Sequence, residues 1–165
     1  LAKSPLTQRC SIKKEIQTCM KHLLPLAEQK NIDITENIDD DLFVTASSTR
    51  LQQLFSNIIG NAVKYNVPGG KIFVDSHLQQ DSKDGAKKVM TKIRDTGIGI
   101  APEHIDKIFN RFYRVKNQKT EKISGNGLGL SIVKDIVTLY GGDIQVHSKL
   151  GEGSEFTISF DFAAN

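Results

Sequence analysis

The sequence predicts an α+β fold: a two-layer sandwich in which a mixed, mostly antiparallel sheet is covered on one face by three long helices. Three one-sided apolar patterns have helical spacing, and several shorter runs alternate apolar with polar residues as strands do. The strands follow one another through hairpins, without the regular strand-helix alternation of a doubly wound parallel sheet. A chain of 165 residues is an ordinary size for one domain.

The first elements are a helix and two short strands. Apolar residues recur at steps of three and four over 12–26, which predicts an amphipathic helix with Ser11 as its N-cap. Apolar and polar residues then alternate at 32–34 and 42–44, on either side of a turn-like segment at 37–41. Two short strands are expected there.

A second helix and a strand pair follow. The helix is expected over 51–65, and the Pro-Gly-Gly sequence at 68–70 ends it. Strands are expected around 72–74 and 89–93, where apolar residues alternate again. Their connection at 79–88 is polar and charged, as in a solvated hairpin loop.

The next part of the chain contains a short helix, a polar segment and the third long helix. Pro102 suits the first turn of a short helix that runs to about Phe109. The segment 114–126 is polar and basic, with Lys122 among its lysines, and is expected to be mobile. The third long helix is expected over 128–140, ended by two glycines.

The chain closes with strands. Ile144 and Val146 indicate one strand, and a turn follows at 151–153. Residues 156–162 then alternate aromatic or aliphatic side chains with polar ones. This alternation predicts a sheet with one buried and one wetter face.

Composition narrows the function only slightly. The 22 Lys and Arg against 19 Asp and Glu give a net charge of +3, too balanced to indicate nucleic-acid binding and equally compatible with an anionic small ligand. No apolar run approaches the roughly 18 residues of a membrane helix. Cys10 and Cys19 are too few for a disulfide framework, which favours free thiols in a reducing compartment, the cytoplasm.

Two glycine-rich stretches, 95–100 and 125–130, invite comparison with common phosphate-binding patterns. Neither is a Rossmann fingerprint, because the sixth position is occupied by Pro102 or Leu130 instead of glycine or alanine. The Gly70-Lys71 pair lacks the serine or threonine that a Walker loop requires next. A nucleotide would therefore bind by another route.

Each glycine-rich stretch has two interpretations. The glycines of 125–130 lead into the N-terminus of a predicted helix, and their amides could bind an anion; the alternative is a plain glycine-rich loop. The stretch 95–100 could belong to a binding site, or it could be only a tight turn after a strand, with Asp95 as an N-cap.

Asn57 and Asn61 stand four residues apart and therefore share one face of the second helix. Amides are costly on a face built otherwise of Leu54, Ile58 and Ala62 unless they find partners. Amide oxygens are suitable hard ligands for Mg²⁺. The alternative is a pair of hydrogen-bonded asparagines at the edge of the core.

Four segments, in order along the chain, resemble the N box, first glycine box, F box and second glycine box of sensor histidine kinases. They are Asn57–Tyr65, Asp95–Gly99, Ile108–Arg114 and Gly125–Leu130. The closing residues 144–160 resemble the family's last strand pair. The resemblance covers nearly the whole chain and identifies it as a catalytic ATP-binding domain of the GHKL, or Bergerat-fold, ATPase superfamily. Four boxes in order are far more specific than one.

The resemblance implies a role for each matched position. Asn61 would ligate Mg²⁺, Asn57 would support the metal or phosphates, and Asp95 would accept a hydrogen bond from the adenine amino group, which favours ATP over GTP. The implied nucleotide contacts are Asn57, Asn61, Lys64, Tyr65, Asp95, Gly97, Gly99, Ile100, Ile108, Tyr113, Arg114, Gly125, Gly127, Leu128, Gly129 and Leu130. The implied catalytic residues are Asn61, Lys64 and Arg114.

Within that set, the resemblance implies that Tyr65 and Ile100 border the adenine. It also implies that Gly97 and Gly99 allow the base to lie close to the backbone. It implies an ATP lid over about 112–126, flanked by Phe112, that orders around ATP and excludes water. Phe109 would either couple lid and partner domain or simply pack in the core.

The chain departs from the family pattern at a few positions. Asn110 replaces a residue that is usually acidic, while Asn66 and Asn126 replace residues that are often threonine or serine. Ala46-Ser47 lie where an aspartate commonly precedes the second helix. These departures put the affinity for nucleotide and the energetics of the lid in doubt. None of them removes a residue that the resemblance implies as a ligand of the metal or nucleotide.

The family's acceptor motif, a histidine followed by an acidic residue and later a proline, is not found around His22, His77, His104 or His147. The acceptor is therefore expected on a separate dimerisation and phosphoacceptor domain, with a response regulator downstream. We expect residues 1–10 to be a linker remnant from that helical hairpin and 11–165 to form the catalytic domain. The full-length protein is expected to be a membrane-anchored sensor, and no nucleic acid or direct membrane contact is expected for this fragment.

The predicted function is phosphate transfer from Mg-ATP to that histidine, which makes the chain a protein-histidine kinase domain. Two alternatives belong to the same superfamily: a nucleotide-operated binding module, like the related chaperone and mismatch-repair ATPases, and a protein-serine kinase. The Phe-Tyr-Arg sequence at 112–114 favours the histidine kinase.

Overall fold

A computed structural model of the chain describes residues 6–117, 119–120, 123, 125 and 127–165. The elements within these residues, in chain order, are β1 (Gln8–Ser11), α1 (Ile12–Gln29), β2 (Asp33–Ile38), β3 (Phe43–Ala46), α2 (Ser48–Lys64), β4 (Lys71–Gln80), β5 (Lys87–Asp95), α3 (Pro102–Ile105), α4 (Gly129–Leu139), β6 (Asp143–Lys149) and β7 (Gly153–Asp161). Within the described residues, no helix has the length and apolar character that crossing a membrane requires.

The main sheet has the strand order β2-β4-β5-β7-β6. Within the described part of the chain, the β2-β4 pair is the only parallel pair of this sheet, and the other pairs are antiparallel. The long helices α1, α2 and α4 pack side by side, with α2 in the middle, on one face of this sheet. The predicted α+β sandwich with a mixed, mostly antiparallel sheet is confirmed.

Strand alternation determines which side chains face the helices. In β5, Val89, Thr91, Ile93 and Asp95 are buried, and the residues between them are more exposed. They pack beneath helix residues such as Phe55, which is fully buried. Asp95 thus occupies a core-facing position at the end of a strand, which carries its carboxylate to the edge of the core.

The first helix runs further than expected. Its N-cap is Ser11, as predicted, and the Ser11 Oγ accepts a hydrogen bond from the Lys14 amide at 3.2 Å. It ends at Gln29 and not at residue 26, because the apolar spacing continues to the buried Ala27. Pro25 lies inside the helix and does not end it.

The two strands predicted around 32–34 and 42–44 exist, at 33–38 and 43–46, but the first continues through residues 37–38 of the predicted turn, and the two do not pair as a hairpin. The first, β2, is an edge strand of the main sheet, parallel to β4. The second, β3, pairs with β1 in a separate two-stranded sheet, from Gln8 opposite Ala46 to Ser11 opposite Phe43. β1 was not expected because its four residues include a single buried side chain, Cys10. The wider division into a linker at 1–10 and a domain at 11–165 stays a prediction.

Smaller differences concern the ends of elements. The short helix α3 ends at Ile105, whereas it was expected to reach Phe109. The β4-β5 loop spans 81–86, and α4 begins one residue later than expected, at Gly129. Phe109 makes an edge-to-face contact with Phe156, with ring centroids 6.4 Å apart, so core packing accounts for this side chain.

The predicted lid is described only in part. Lys122 and Asn126 lie outside the described residues, as do positions 118, 121 and 124. The expected mobility of this segment stays a prediction.

Candidate functional site

A cavity of about 540 Å³ lies between α2, the start of α4 and the loop that follows β5. All of the nucleotide contacts implied by the resemblance line this cavity except Gly97 and Leu128. The fold thus gathers in one place residues that are spread over more than seventy positions of the sequence, from Asn57 to Leu130.

Asp95 is the most buried ionisable group of the cavity, with 8% of its surface exposed. Its Oδ1 accepts hydrogen bonds from the amides of Gly97, at 2.8 Å, and Ser154, at 3.3 Å. Its Oδ2 receives no hydrogen bond from any described residue. Burial raises the pKa of this carboxyl above its ordinary value, although both amide hydrogen bonds act in the opposite direction.

The loop after Asp95 is held against two other parts of the chain. A Cβ on Gly97 would lie 2.4 Å from the Tyr65 carbonyl oxygen, and the neighbouring Ile98 amide donates to that oxygen at 3.0 Å. Gly99 has a φ of +71°, and a Cβ there would lie 2.1 Å from the Lys149 carbonyl oxygen. The missing side chains of these glycines therefore make room for protein backbone.

The turn between β6 and β7 completes this side of the cavity. Ser148 Oγ accepts the Ile100 amide proton at 2.7 Å and lies 2.7 Å from Ser154 Oγ. Gly151 donates its amide proton to the Ile98 carbonyl at 2.7 Å. Ser148 and Ser154 were not anticipated, because isolated serines near a turn carry no distinguishing pattern. Leu150 and Ser154 also line the cavity.

Helix α2 supplies the amides on the opposite wall. Asn57 Nδ2 donates to the Gly129 carbonyl at 3.2 Å, so Asn57 joins α2 to the start of α4. This agrees in part with the interpretation of the asparagines as hydrogen-bonded edge residues. The Asn61 side chain makes no hydrogen bond to any described residue and lines the cavity. Its amide oxygen is therefore available to a ligand.

Helix α2 is capped by a serine at the place where the family commonly has an aspartate. Ser47 is the N-cap of α2, and its Oγ accepts the Arg50 amide proton at 3.3 Å. Glu15 of α1 adds a second anchor, because its carboxylate accepts hydrogen bonds from Ser48 at 2.8 Å and Gln52 at 2.7 Å.

The second glycine stretch meets the F-box segment backbone to backbone. Phe112, with a φ of +63°, donates its amide proton to the Gly127 carbonyl at 3.0 Å. A Cβ on Gly127 would lie 2.6 Å from the Phe112 carbonyl carbon. The Phe112 side chain is 70% exposed. These contacts hold the start of the lid beside the N-terminus of α4.

Basic and aromatic side chains line the remaining wall. Lys64, Arg114 and Lys116 place cationic groups around the cavity. The Arg114 guanidinium donates to the Ile123 carbonyl, and Tyr113 OH lies against His104 Nδ1. His104 is half-buried and also lines the cavity.

The chain belongs to the family of histidine kinase-, DNA gyrase B- and HSP90-like ATPases, whose family model matches residues 46–164. Within that family it is similar to sensor histidine kinases. It is 33% identical over 138 residues to the sensor histidine kinase WalK of Bacillus subtilis, a match that covers 83% of this chain and 22% of WalK.

Solved structures of histidine kinases have a similar fold. The catalytic domain of the histidine kinase ThkA has a TM-score of 0.78 at 27% identity, over 96% of this chain and 97% of that domain. Full-length ShkA in complex with AMPPNP has the same TM-score at 29% identity, over all of this chain and 33% of ShkA. The recognition of the chain as a sensor histidine kinase catalytic domain is confirmed. The chain spans only 22% to 32% of the length of the first curated relatives it matches.

Proposed function

We propose that this domain binds Mg-ATP and presents the γ-phosphate to a histidine on a separate dimerisation and phosphoacceptor domain, as one half of a two-component signalling kinase. The observation that carries the proposal is the Asp95 carboxylate, held through Oδ1 by two backbone amides while Oδ2 has no donor among the described residues. The AMPPNP in the ShkA structure supports an adenine nucleotide as the ligand.

A fixed carboxylate selects for adenine by hydrogen-bond polarity. The exocyclic amino group of adenine would donate to Oδ2, whereas guanine has a carbonyl oxygen at the equivalent position. A carbonyl there would oppose a buried carboxylate without any proton between them, which is a costly arrangement. We therefore assign adenine recognition to Asp95, with Tyr65 and Ile100 bordering the base.

The other end of the cavity suits the phosphates. Lys64 and Arg114 carry positive charge, and Gly127 and Gly129 bring backbone amides of the α4 N-terminus towards the same space. The resemblance also placed Leu128 there, and Leu128 is the N-cap residue of α4. Gly125 lies close to Lys64, since a Cβ on it would be 3.8 Å from the Lys64 Nζ.

The residues present also fit a magnesium ion. The described residues contain no group of three His, Cys, Asp or Glu side chains that could hold a metal by themselves. Mg²⁺ commonly takes one or two protein oxygens together with waters and substrate phosphates. The Asn61 amide oxygen, which has no partner among the described residues, fits that role. The ion would neutralise phosphate charge and orient the β- and γ-phosphates.

Phosphate transfer then needs little covalent chemistry from this domain. The unprotonated imidazole nitrogen of the acceptor histidine forms a bond to the γ-phosphorus while the bond to the bridging oxygen breaks. ADP leaves with the electron pair of that bond, and the second imidazole nitrogen releases its proton to solvent or a nearby base. Lys64 and Arg114 stabilise the charge, and positioning supplies most of the catalysis.

The proposal extends to the longer protein. The relatives are several times longer than this chain, which supports a sensor in which other segments provide the acceptor histidine. A response regulator would take the phosphate from that histidine. We place the catalytic domain in the cytoplasm, where ATP is available, as part of a membrane-anchored protein.

The decisive experiment mixes this domain with its cognate helical hairpin and γ-labelled ATP. We expect label on the hairpin that is lost in acid and retained in base, as a phosphohistidine requires, and a large excess of GTP should not compete. Label that survives acid would indicate a serine acceptor and contradict the proposal. ATP binding without any transfer to the cognate hairpin would favour a nucleotide-operated binding module.

A further inference from the structure

Lys30 holds the end of the helix that carries Asn61, Lys64 and Tyr65, although it lies outside the cavity. It follows α1 directly, as its C-cap residue. Its Nζ donates to three carbonyl oxygens at the C-terminal end of α2: those of Val63 at 2.9 Å, Lys64 at 3.0 Å and Asn66 at 3.1 Å. An ammonium has three protons, so each carbonyl takes one of them.

Among the described residues, the carbonyls of Lys64 and Asn66 have no other hydrogen-bond donor, whereas the Val63 carbonyl also accepts the Asn66 amide proton at 3.3 Å. The last carbonyls of a helix have no amide donor within the helix, and they form the negative end of its dipole. Among the described residues, Lys30 makes no ion pair with a carboxylate. Its charge is balanced by peptide dipoles, and burial lowers its pKa from the usual range.

The end of α2 also contacts the loop that follows Asp95. The Tyr65 carbonyl, which lies between the carbonyls bound by Lys30, accepts the Ile98 amide proton at 3.0 Å. It also lies so close to Gly97 that no Cβ fits between them. A shift of Tyr65 would therefore move both its own side chain and the loop after Asp95.

A second connection runs through Asn66, whose side chain is buried. Its Oδ1 accepts from Thr96 Oγ1 at 3.3 Å, and its Nδ2 donates to the Lys71 carbonyl at 3.2 Å. Thr96 directly follows Asp95 and accepts the Lys71 amide proton at 2.8 Å. The chain segment bound by Lys30 is therefore connected to the loop after Asp95 in two ways: through the Tyr65 carbonyl and through the Asn66 side chain.

We propose that Lys30 is a positioning residue for the nucleotide: its ammonium fixes the C-terminal turn of α2, and so sets the placement of Lys64, Tyr65 and the Asp95–Gly99 loop. This inference rests on the proposed nucleotide function. It assigns no contact between Lys30 and the ligand.

The test compares K30M, which keeps the apolar stem without the ammonium, with K30R, which keeps a cation. K13M is the matched control, since Lys13 lies at the other end of α1 and pairs only with exposed Asp40 among the described residues. Each variant is examined without nucleotide for hydrogen exchange of the Ile98 amide and for thermal unfolding. Calorimetry then gives its affinity for ADP with Mg²⁺.

In K30M we expect faster Ile98 exchange and an ADP affinity weaker by about tenfold, because a displaced loop after Asp95 weakens the hydrogen bond between this carboxylate and the base. A planar guanidinium cannot meet three converging carbonyls as an ammonium does, so K30R should fall between K30M and wild type. K13M should match wild type in both measurements.

A role in stability alone would lower the unfolding temperature and leave the affinity of the folded protein unchanged, which would overturn the proposal. Unchanged Ile98 exchange in K30M would also overturn it. If K30M does not fold, K30R decides the matter: wild-type affinity together with wild-type Ile98 exchange would refute the positioning role. Wild-type protein that binds no adenine nucleotide would refute the proposed function, and the exchange measurement would still test the contact.

Discussion

Gly153 lies against the backbone of Asp95 so closely that a Cβ on Gly153 would be 2.0 Å from the Asp95 carbonyl oxygen. Gly153 begins β7, which pairs with β5 in the main sheet. The turn before β7 therefore sits directly against the strand end that carries the proposed adenine-binding carboxylate, and the next amide, of Ser154, donates to that carboxylate.

We expect Gly153→Ala to be destabilising and to weaken nucleotide binding, because the added methyl group must push β7 away from Asp95. Gly153 also has a φ of +121°, which L residues rarely adopt. Together these effects should cost about 2–4 kcal/mol of unfolding free energy. The measurement is urea unfolding, followed by ADP titration at a temperature where the variant is folded.

Gly151→Ala is the matched control for that substitution. Gly151 lies in the same turn with a φ of +84°, but a Cβ there would meet nothing within 4 Å. Only the cost of the left-handed backbone, about 1–2 kcal/mol, is expected. Equal losses in the two variants would show that the contact with Asp95 is unimportant.

Asp95→Asn should strongly weaken nucleotide binding without loss of stability at neutral pH. An asparagine Oδ1 can still accept from Gly97 and Ser154, but its Nδ2 would oppose the adenine amino group donor to donor. We expect affinity to fall by about a hundredfold or more, measured by calorimetry. A variant that still binds ADP nearly as well as wild type would contradict the assignment of adenine recognition to Asp95.

The same substitution should change how stability depends on pH. Since burial raises the pKa of Asp95, the folded protein holds the proton to higher pH than the unfolded chain does. Wild-type stability therefore falls as pH rises from the ordinary aspartate pKa through the raised value. Relative to wild type, Asp95→Asn should gain stability over that interval and keep the gain at pH 7. Urea unfolding across the interval checks this, and a gain that shrinks with rising pH would contradict it.

Asn61→Ala should weaken Mg-ATP binding while the domain remains folded. The substitution removes the amide oxygen that is proposed to bind Mg²⁺, and loss of a polar contact to a charged group costs about 1.5–3 kcal/mol, which corresponds to about tenfold or more in Kd. Asn37→Ala, the same chemical change on an exposed residue of β2, is the control. Unchanged affinity in Asn61→Ala, measured by calorimetry with Mg²⁺ present, would remove Asn61 from the proposed site.

Ser47→Ala should lower the unfolding free energy by about 1 kcal/mol, the usual effect of losing an N-cap side chain. Ser47→Thr keeps the hydroxyl and should remain closer to wild type. Urea unfolding of both variants checks the assignment. If Ser47→Ala is as stable as wild type, the cap hydrogen bond to Arg50 does not contribute to α2.

The sequence by itself determined the three long helices, most strands and the residues that carry the family motifs. Those features are local: a helix or a strand needs one apolar side, and its period is visible in a few turns or residues. Ser11 as a cap and the order of the four boxes are likewise readable without coordinates. The resemblance then indicated which side chains meet at the cavity, which spacing alone does not show.

Only the tertiary structure decided how these parts support one another. The amide of Ser154 reaches Asp95 across 59 positions of sequence, and Lys30 reaches the Asn66 carbonyl across 36. β1 pairs with β3, although α1 and β2 lie between them in the sequence, and β2 pairs with β4 and not with β3. Each of these contacts uses a backbone amide or carbonyl on at least one side, and every residue except proline carries both groups. Side-chain patterns therefore cannot reveal them, and they arise when the shared core brings distant segments together.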